Sequence, residues 1–126
     1  MSGRGAADAW YPRPVVAPAL QIDLGPVQGL IARIVEKLQP AQIWLFGSRA
    51  RGAASASSDW DLLAVVPDDL AEIDTDDPLL GFRLRKDLGV RADVLACRVS
   101  EFAESRDTPN TVCYDAAHEG LLLYER

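Results

Sequence analysis

The sequence predicts a single α/β domain, because stretches with helical spacing of apolar residues alternate with short apolar stretches typical of strands. A length of 126 residues suits one modest domain with its own core and is too short for two ordinary ones. Residues 1–20 are rich in proline and glycine, so we expect an irregular N-terminal arm there and the folded domain at 21–126.

The first predicted element is an amphipathic helix from Pro26 to Leu38. Pro26 suits the first helical turn, and Pro40 comes just after the last one. The apolar positions that repeat at helical spacing are Val27, Leu30, Ile31, Ile34, Val35 and Leu38. This helix should lead directly into the next element, a strand.

Two strands are predicted on either side of a glycine-containing turn. The segment from Gln42 to Phe46 is apolar and partly β-branched, and the segment from Asp59 to Val66 ends in a continuous apolar run. Further along, the pattern predicts a helix from Leu79 to Leu88, a strand from Arg91 to Cys97, a short helix capped by Ser100, a helix from Pro109 to Ala117 and a closing apolar segment from Leu121 to Tyr124.

Acidic residues outnumber basic ones by 19 to 13, which gives a formal net charge of −6. This sign opposes long-range attraction to nucleic acid, so we expect no direct nucleic-acid binding. The acidic segment from Pro67 to Asp77 lacks the ligand spacing and the central glycine of an EF-hand loop, which favours a solvated surface.

The two cysteines, Cys97 and Cys113, lack the local spacing of a zinc site or a redox pair. We expect both to be reduced core thiols in a cytoplasmic protein. The sequence has no basic and apolar leader at its start and no apolar run of membrane-spanning length, which agrees with that location.

The turn after the first strand begins with Gly47 and Ser48. Glycine lets the backbone turn sharply, and backbone N–H groups together with the Ser48 hydroxyl could then face a polyphosphate. Arg49 and Arg51 follow, and each could contact phosphate or simply lie in solvent. Ser58 could support the backbone at Asp59 or only begin the strand.

Asp59 and Asp61 lie two residues apart on a predicted strand, so their side chains should share one face. Neighbouring carboxylates repel one another unless a cation lies between them. Hard oxygen ligands suit Mg²⁺, which completes its octahedron with water and substrate phosphate oxygens. The sequence therefore indicates a site for Mg²⁺ and a nucleoside triphosphate; a turn and an edge strand with solvated acids is the alternative.

The stretch GSRARGAASASSDWDLLAVV, which joins this turn to the aspartates, resembles the signature of the DNA polymerase β-like nucleotidyltransferases. It is most similar to the small members called minimal nucleotidyltransferase (MNT) domains. The resemblance runs from about Val27 to the end of the chain. It implies a two-layer α/β fold, in which helices pack on one face of a small mixed sheet that bears three aspartates.

The resemblance also implies a mechanism. Asp93, within the apolar segment around Val94, matches the third acidic residue of the family. Asp59 and Asp61 would hold Mg²⁺ on the triphosphate of ATP, while Asp93 would help bind a second ion and accept the proton of an attacking hydroxyl. The residues expected to bind the nucleotide are Gly47, Ser48, Arg49 and Ser58.

MNT domains are often encoded beside a HEPN-domain ribonuclease toxin, so the resemblance implies an antitoxin that transfers AMP from ATP to a tyrosine of that toxin. Larger relatives carry an added helical domain for the acceptor, for which this chain has no room. A partner protein, a second copy of the chain or a small substrate would then complete the acceptor surface. The alternatives are a non-catalytic contact antitoxin and a transferase for a small molecule such as an aminoglycoside.

Overall fold

The computed structural model describes residues 22–52, 58–70 and 73–126. The predicted N-terminal arm, residues 1–20, lies outside this part of the chain, so the boundary between arm and domain stays a prediction. None of the helices in the described ranges is long and apolar enough to cross a membrane.

The elements follow one another in the predicted alternation. A 3₁₀ turn at Gly25–Val27 leads into the first helix. The helices and strands are, in chain order, α1 (Gln28–Leu38), β1 (Gln42–Phe46), α2 (Gly47–Ala50), β2 (Trp60–Val66), α3 (Leu80–Arg85), β3 (Ala92–Arg98), α4 (Val99–Ser105), α5 (Val112–Glu119) and β4 (Leu121–Glu125).

The four strands form one mixed sheet in the order β3-β2-β1-β4. Strand β1 runs antiparallel to β2 and to β4, whereas β2 and β3 are parallel. The register pairs Phe46 with Asp61 and Asp61 with Asp93, so these three residues form a row across the sheet where β1 ends and where β2 and β3 begin. This row positions the candidate site.

Hydrophobic clusters lie on both faces of the sheet. Strand β2 shows this most directly, because Leu62, Ala64 and Val66 join one cluster and Leu63 and Val65 join the other. Helices α1 and α3 pack on the first face, and α4 and α5 pack on the second. The predicted class, a small mixed sheet with packed helices, is confirmed. The expectation that helices pack on only one face of the sheet is incomplete, because the short helices α4 and α5 cover part of the other face.

Helix α4 begins differently from the prediction. Ser100 is not its cap; Arg98 occupies that position, and its backbone N–H donates to the carboxylate of Glu101 at 2.8 Å. The backbone N–H of Ser100 instead donates to Asp68 at 2.9 Å, which ties α4 to the acidic segment. That segment is fixed at its start by contacts that its composition does not reveal.

Cys97 on β3 and Cys113 on α5 are both free and buried within the second cluster. Burial raises the pKa of the Cys97 thiol, and the neighbouring Cys113 raises it further. The two cysteines are therefore core residues, as predicted, and their proximity to each other is new information from the structure.

Candidate active site

The site is built around the close approach of Gly47 and Asp61. Gly47 has a φ of +76°, a backbone conformation that glycine adopts without the steric cost other residues meet. A Cβ atom at this position would lie 2.2 Å from Oδ2 of Asp61. Glycine is thus required here both by the backbone angle and by the space that the carboxylate occupies.

Asp61 and Asp93 are brought side by side by the parallel pairing of β2 and β3. Asp61 is partly buried, whereas Asp93 is exposed on the edge strand. The pKa of Asp61 is raised, first by burial, then by the negative charges of Asp93 and Asp59, while Arg51 acts in the opposite direction. The three predicted aspartates therefore interact electrostatically across the end of the sheet.

Asp59 lies just before β2 rather than within it, because the strand begins at Trp60. Its carboxylate forms an ion pair with Arg91, with Oδ1 of Asp59 3.1 Å from Nε of Arg91. The same strand register that pairs Asp61 with Asp93 explains the contact, since both Asp59 and Arg91 directly precede paired strands. Arg91 is a site residue that the sequence analysis missed; the register would have predicted it had the parallel pairing been known.

Arg49 connects the turn to the start of β2. Its guanidinium group donates to the backbone carbonyl of Ser58 through Nη2 at 2.7 Å and through Nε at 3.2 Å. Its Cζ lies 4.2 Å from the ring centroid of Trp60. These contacts place Arg49 and Ser58 together beneath the turn, and the prediction that Arg49 binds phosphate stays a prediction.

The donor atoms near Asp61 are those expected for Mg²⁺. Carboxylate oxygens are its preferred protein ligands, and a cation would offset both the burial of the Asp61 carboxylate and the negative charges of Asp93 and Asp59, which together raise its pKa. Within the described ranges, no three His, Cys, Asp or Glu side chains are already gathered as a metal site. Asp59 is turned to Arg91 instead, so these donors fit the ion by chemistry rather than by a preformed arrangement.

A cavity of about 400 Å³ opens beside the two paired aspartates. Its walls come from the sheet, from the segment before α3 and from α3 itself, and they include Phe46, Asp61, Asp76, Phe82, Asp93 and Leu95. Gly47, Ser48 and Arg49 are not among its lining residues. The cavity therefore runs from Phe46, directly before the glycine turn, past the two aspartates to α3.

Two other polar residues lie outside this centre. Arg51 pairs loosely with Glu119, at 3.9 Å, while also acting on Asp61 through its charge. His118, in the last turn of α5, contacts Asp107 at 2.9 Å and stacks on Tyr114.

Comparison with protein families decides the classification. A family model described as a nucleotidyltransferase domain matches residues 28–115, which include the glycine turn and all three aspartates. The chain belongs to this nucleotidyltransferase family. The family is part of the polymerase β-like superfamily, as the sequence signature predicted.

The fold agrees with the nucleotidyltransferase assignment. It is similar to a crystal structure from Sulfolobus solfataricus, described as that of a candidate nucleotidyltransferase, with a TM-score of 0.50 and 20% identity. The alignment covers 90% of this chain and 94% of the other. At this identity the likeness supports the fold alone. A search of curated proteins gave no match.

Proposed function

We propose that this nucleotidyltransferase domain transfers AMP from ATP, in the presence of Mg²⁺, to a hydroxyl group of an acceptor. The observation that carries the proposal is the in-register pairing of Asp61 with Asp93 directly beside Gly47. Family membership supplies the reaction class, and this pairing supplies two carboxylates beside the glycine turn.

Gly47 and Ser48 would receive the triphosphate. The absence of a side chain at Gly47 lets the Asp61 carboxylate lie directly against the turn, so phosphate oxygens at the turn would lie close to that carboxylate. Arg49, which holds the carbonyl of Ser58, would keep the turn in place relative to β2. Positioning of this kind accounts for much of the rate enhancement in phosphoryl transfer, because protein groups contribute little covalent chemistry.

The aspartates would bind the metal ions and accept the proton of the acceptor hydroxyl. Asp59 and Asp61 would hold Mg²⁺, with Asp93 contributing to a second ion; the metal supplies charge neutralisation at the phosphates and orients the displacement. Asp93 is exposed at the sheet edge, where an acceptor hydroxyl can reach it and give up its proton. Arg91 would neutralise the Asp59 carboxylate through their ion pair until Mg²⁺ binds and replaces Arg91 as its partner.

The acceptor proposed is a tyrosine of a partner HEPN-domain toxin, which would make the chain an antitoxin. Support comes from the similarity of the GSRARGAASASSDWDLLAVV segment to MNT domains. The net charge of −6 also disfavours a nucleic-acid acceptor and favours a basic protein surface.

The test is incubation of the pure protein with Mg²⁺ and ATP labelled at the α-phosphate, with and without the protein encoded beside it. Wild type should label that partner, and Asp61→Asn should lower the rate by about 10²-fold or more, the cost of losing a major electrostatic group. Asp69→Asn is the matched control, since Asp69 is an exposed acid that follows the end of β2, whereas Asp61 lies at the start of that strand.

Full labelling by Asp61→Asn would overturn the proposed role of Asp61. Tight, ATP-independent binding of the partner without any label would instead indicate a contact antitoxin. Label on an aminoglycoside but not on the partner would indicate a small-molecule transferase.

A further inference from the structure

A second cavity lies on the other side of helix α3 from the paired aspartates. Its volume is about 420 Å³, which is within the range of sites that hold small molecules. Arg83 and Leu84 line this cavity, whereas the neighbouring Phe82 lines the cavity beside the aspartates. Among the described residues, the two cavities share Asp77 and Leu80 alone. Helix α3 therefore separates two distinct spaces, one on each face of the helix.

The inner surface of the second cavity is apolar. Leu38, at the end of α1, and Leu84 are almost fully buried and belong to the core cluster between the sheet and these helices. Ile73 and Leu80 also line the cavity, and both are only partly buried. A ligand with an apolar body would therefore remove further carbon surface from water.

The walls of this cavity are fixed by contacts within the protein. Arg33 on α1 donates through Nη1 to the backbone carbonyls of Leu84 at 3.1 Å and Lys86 at 2.7 Å, which joins α1 to the end of α3. Asp77 accepts from the guanidinium group of Arg83 through Oδ2 and from a backbone N–H through Oδ1 at 2.9 Å. A ligand would thus enter a site whose walls are already ordered.

Lys37, in the last turn of α1, also lines the cavity. Within the described ranges its ammonium group forms no hydrogen bond or ion pair, not even with Asp74, the exposed acid at the same cavity. A lysine near a helix end often serves the last carbonyls. Here the side-chain amide of Gln39 donates to those of Val35 at 3.1 Å and Glu36 at 3.3 Å. The ammonium group is therefore available to a ligand.

The charges around the cavity favour an anionic ligand. Three cationic side chains and two acidic ones line it, so the cavity carries a net positive charge in a chain whose net charge is −6. Because Lys37 alone lacks a partner, a single negative charge matches the site. A doubly charged phosphate would leave one charge uncompensated near Asp74, which a monoanionic carboxylate would not.

We propose that this cavity binds a small organic carboxylate, whose charged group pairs with Lys37 and whose apolar body covers Ile73 and Leu80. Charge-assisted hydrogen bonds from the ammonium group would fix the carboxylate, and the apolar surface would select against small hydrophilic anions. None of the three aspartates of the candidate active site lines this cavity. The inference therefore goes beyond nucleotidyl transfer and does not depend on it.

The experiment titrates the isotopically labelled full chain with cinnamate and, as the uncharged probe, with cinnamyl alcohol. Shifts of backbone amide signals in nuclear magnetic resonance spectra locate the probe, and their concentration dependence gives its Kd. In wild type, we expect cinnamate to shift the signals of Leu38 and Leu84. It should bind about tenfold or more tightly than the alcohol, because the alcohol cannot form the charge-assisted hydrogen bond.

The variant Lys37→Gln should lower the affinity for cinnamate to that for cinnamyl alcohol and leave the affinity for the alcohol unchanged. Lys86→Gln is the matched control, because Lys86 is also an exposed lysine but its side chain does not line the cavity. This control should keep the wild-type preference for cinnamate. The same spectra show whether each variant is folded.

Equal affinity of wild type for the two probes, or no binding of cinnamate, would overturn the proposed site. An equal loss of cinnamate affinity in Lys37→Gln and Lys86→Gln would also overturn it, since net charge rather than the cavity would then govern binding. Shifts confined to Phe82 and Asp93 would place cinnamate in the other cavity and contradict the proposal. No step of this test measures AMP transfer, so failure of the proposed function would leave its result unchanged.

Discussion

A methyl group added at Gly47 would enter the space that the Asp61 carboxylate fills. Two effects are mixed in a Gly47→Ala variant, because alanine is also disfavoured at a φ of +76°. Gly89 separates them, since it has a φ of +65° and a Cβ there would meet no atom within 4 Å. Both alanine variants should lose about 1 kcal/mol of stability from the backbone, measured by urea unfolding.

Only Gly47→Ala should also displace Asp61, so we expect it to lower nucleotidyl transfer at least tenfold more than Gly89→Ala does. The comparison is made at a temperature where both variants are fully folded. Equal activity in the two variants would show that the contact between Gly47 and Asp61 does not position the carboxylate.

In the metal-free protein, the ionised carboxylate of Asp61 destabilises the folded state. Its pKa is raised by burial and by the charges of Asp93 and Asp59, so the folded state binds a proton more readily than the unfolded state does. The stability that Asp61 contributes comes from its protonated form. That stability is fully present below pH 3.8, the ordinary pKa of an aspartate, and is lost as the pH rises through the raised pKa of the folded state.

The variant Asp61→Asn should accordingly have a higher Tm than wild type at neutral pH when both are free of metal, although it loses activity. The difference should shrink as pH falls toward 3.8, where wild-type Asp61 is itself protonated. Thermal unfolding in EDTA at several pH values measures this. A lower Tm for the variant at pH 7 would mean that the ionised carboxylate stabilises the fold.

At the scale of elements, Arg98 at the end of β3 organises the acidic segment that follows β2. Its guanidinium group donates to the backbone carbonyls of Pro67 at 3.1 Å, Leu70 at 2.6 Å and Ile73 at 2.6 Å. A planar group with several fixed donors can serve three carbonyls at once, which the ammonium group of lysine does less well.

We expect Arg98→Ala to lower the free energy of unfolding by about 1–3 kcal/mol, because it removes three charge-assisted hydrogen bonds and leaves part-buried carbonyls without their donor. Arg98→Lys should recover only part of this loss. Hydrogen exchange should become faster around Leu70 in both variants. Unchanged exchange there would show that the segment is held by other contacts, such as Asp68 with the backbone of Ser100.

Elements whose apolar spacing is local were predictable from the sequence, and contacts between distant elements were not. Strand β1 has the predicted bounds, Gln42–Phe46, because its apolar run lies between a helix end and a glycine. Helix α3 is shorter than predicted, because Lys86 leaves the helix with a ψ of 133° and Asp87 takes a φ of 66° before Gly89 is reached. The apolar pattern continues through this break and so conceals it.

In the site, too, local features were predictable from the sequence and contacts between distant elements were not. The sequence signature predicted the aspartates and the glycine turn, and the parallel register that aligns Asp61 with Asp93 came from the structure. Helices α4 and α5 were predicted as short elements, but their packing on the second face depends on where the chain returns after β3. The ion pair of Arg91 with Asp59 depends on that same register, which residue spacing within one strand does not encode.

For the whole molecule, ligand binding and stability are linked through the charges at the end of the sheet. A ligand that binds only the folded state stabilises it in proportion to its saturation, by about 2.7 kcal/mol at a concentration 100 times its Kd. For a domain of this size that corresponds to roughly 10 °C in Tm. Because the aspartates repel one another, we expect Mg²⁺ with ATP to produce this shift, and ATP in EDTA to produce little.

The measurement is thermal unfolding with ATP alone, Mg²⁺ alone and both together, in wild type and in Asp59→Ala/Asp61→Ala. This readout needs no acceptor, so it tests the nucleotide and metal site separately from the partner. The double variant removes two carboxylates and their repulsion, so it should be insensitive to the combination of Mg²⁺ and ATP. An equal shift in the double variant, or in EDTA, would place nucleotide binding elsewhere on the molecule, and the paired aspartates would then no longer explain how this nucleotidyltransferase holds its substrate.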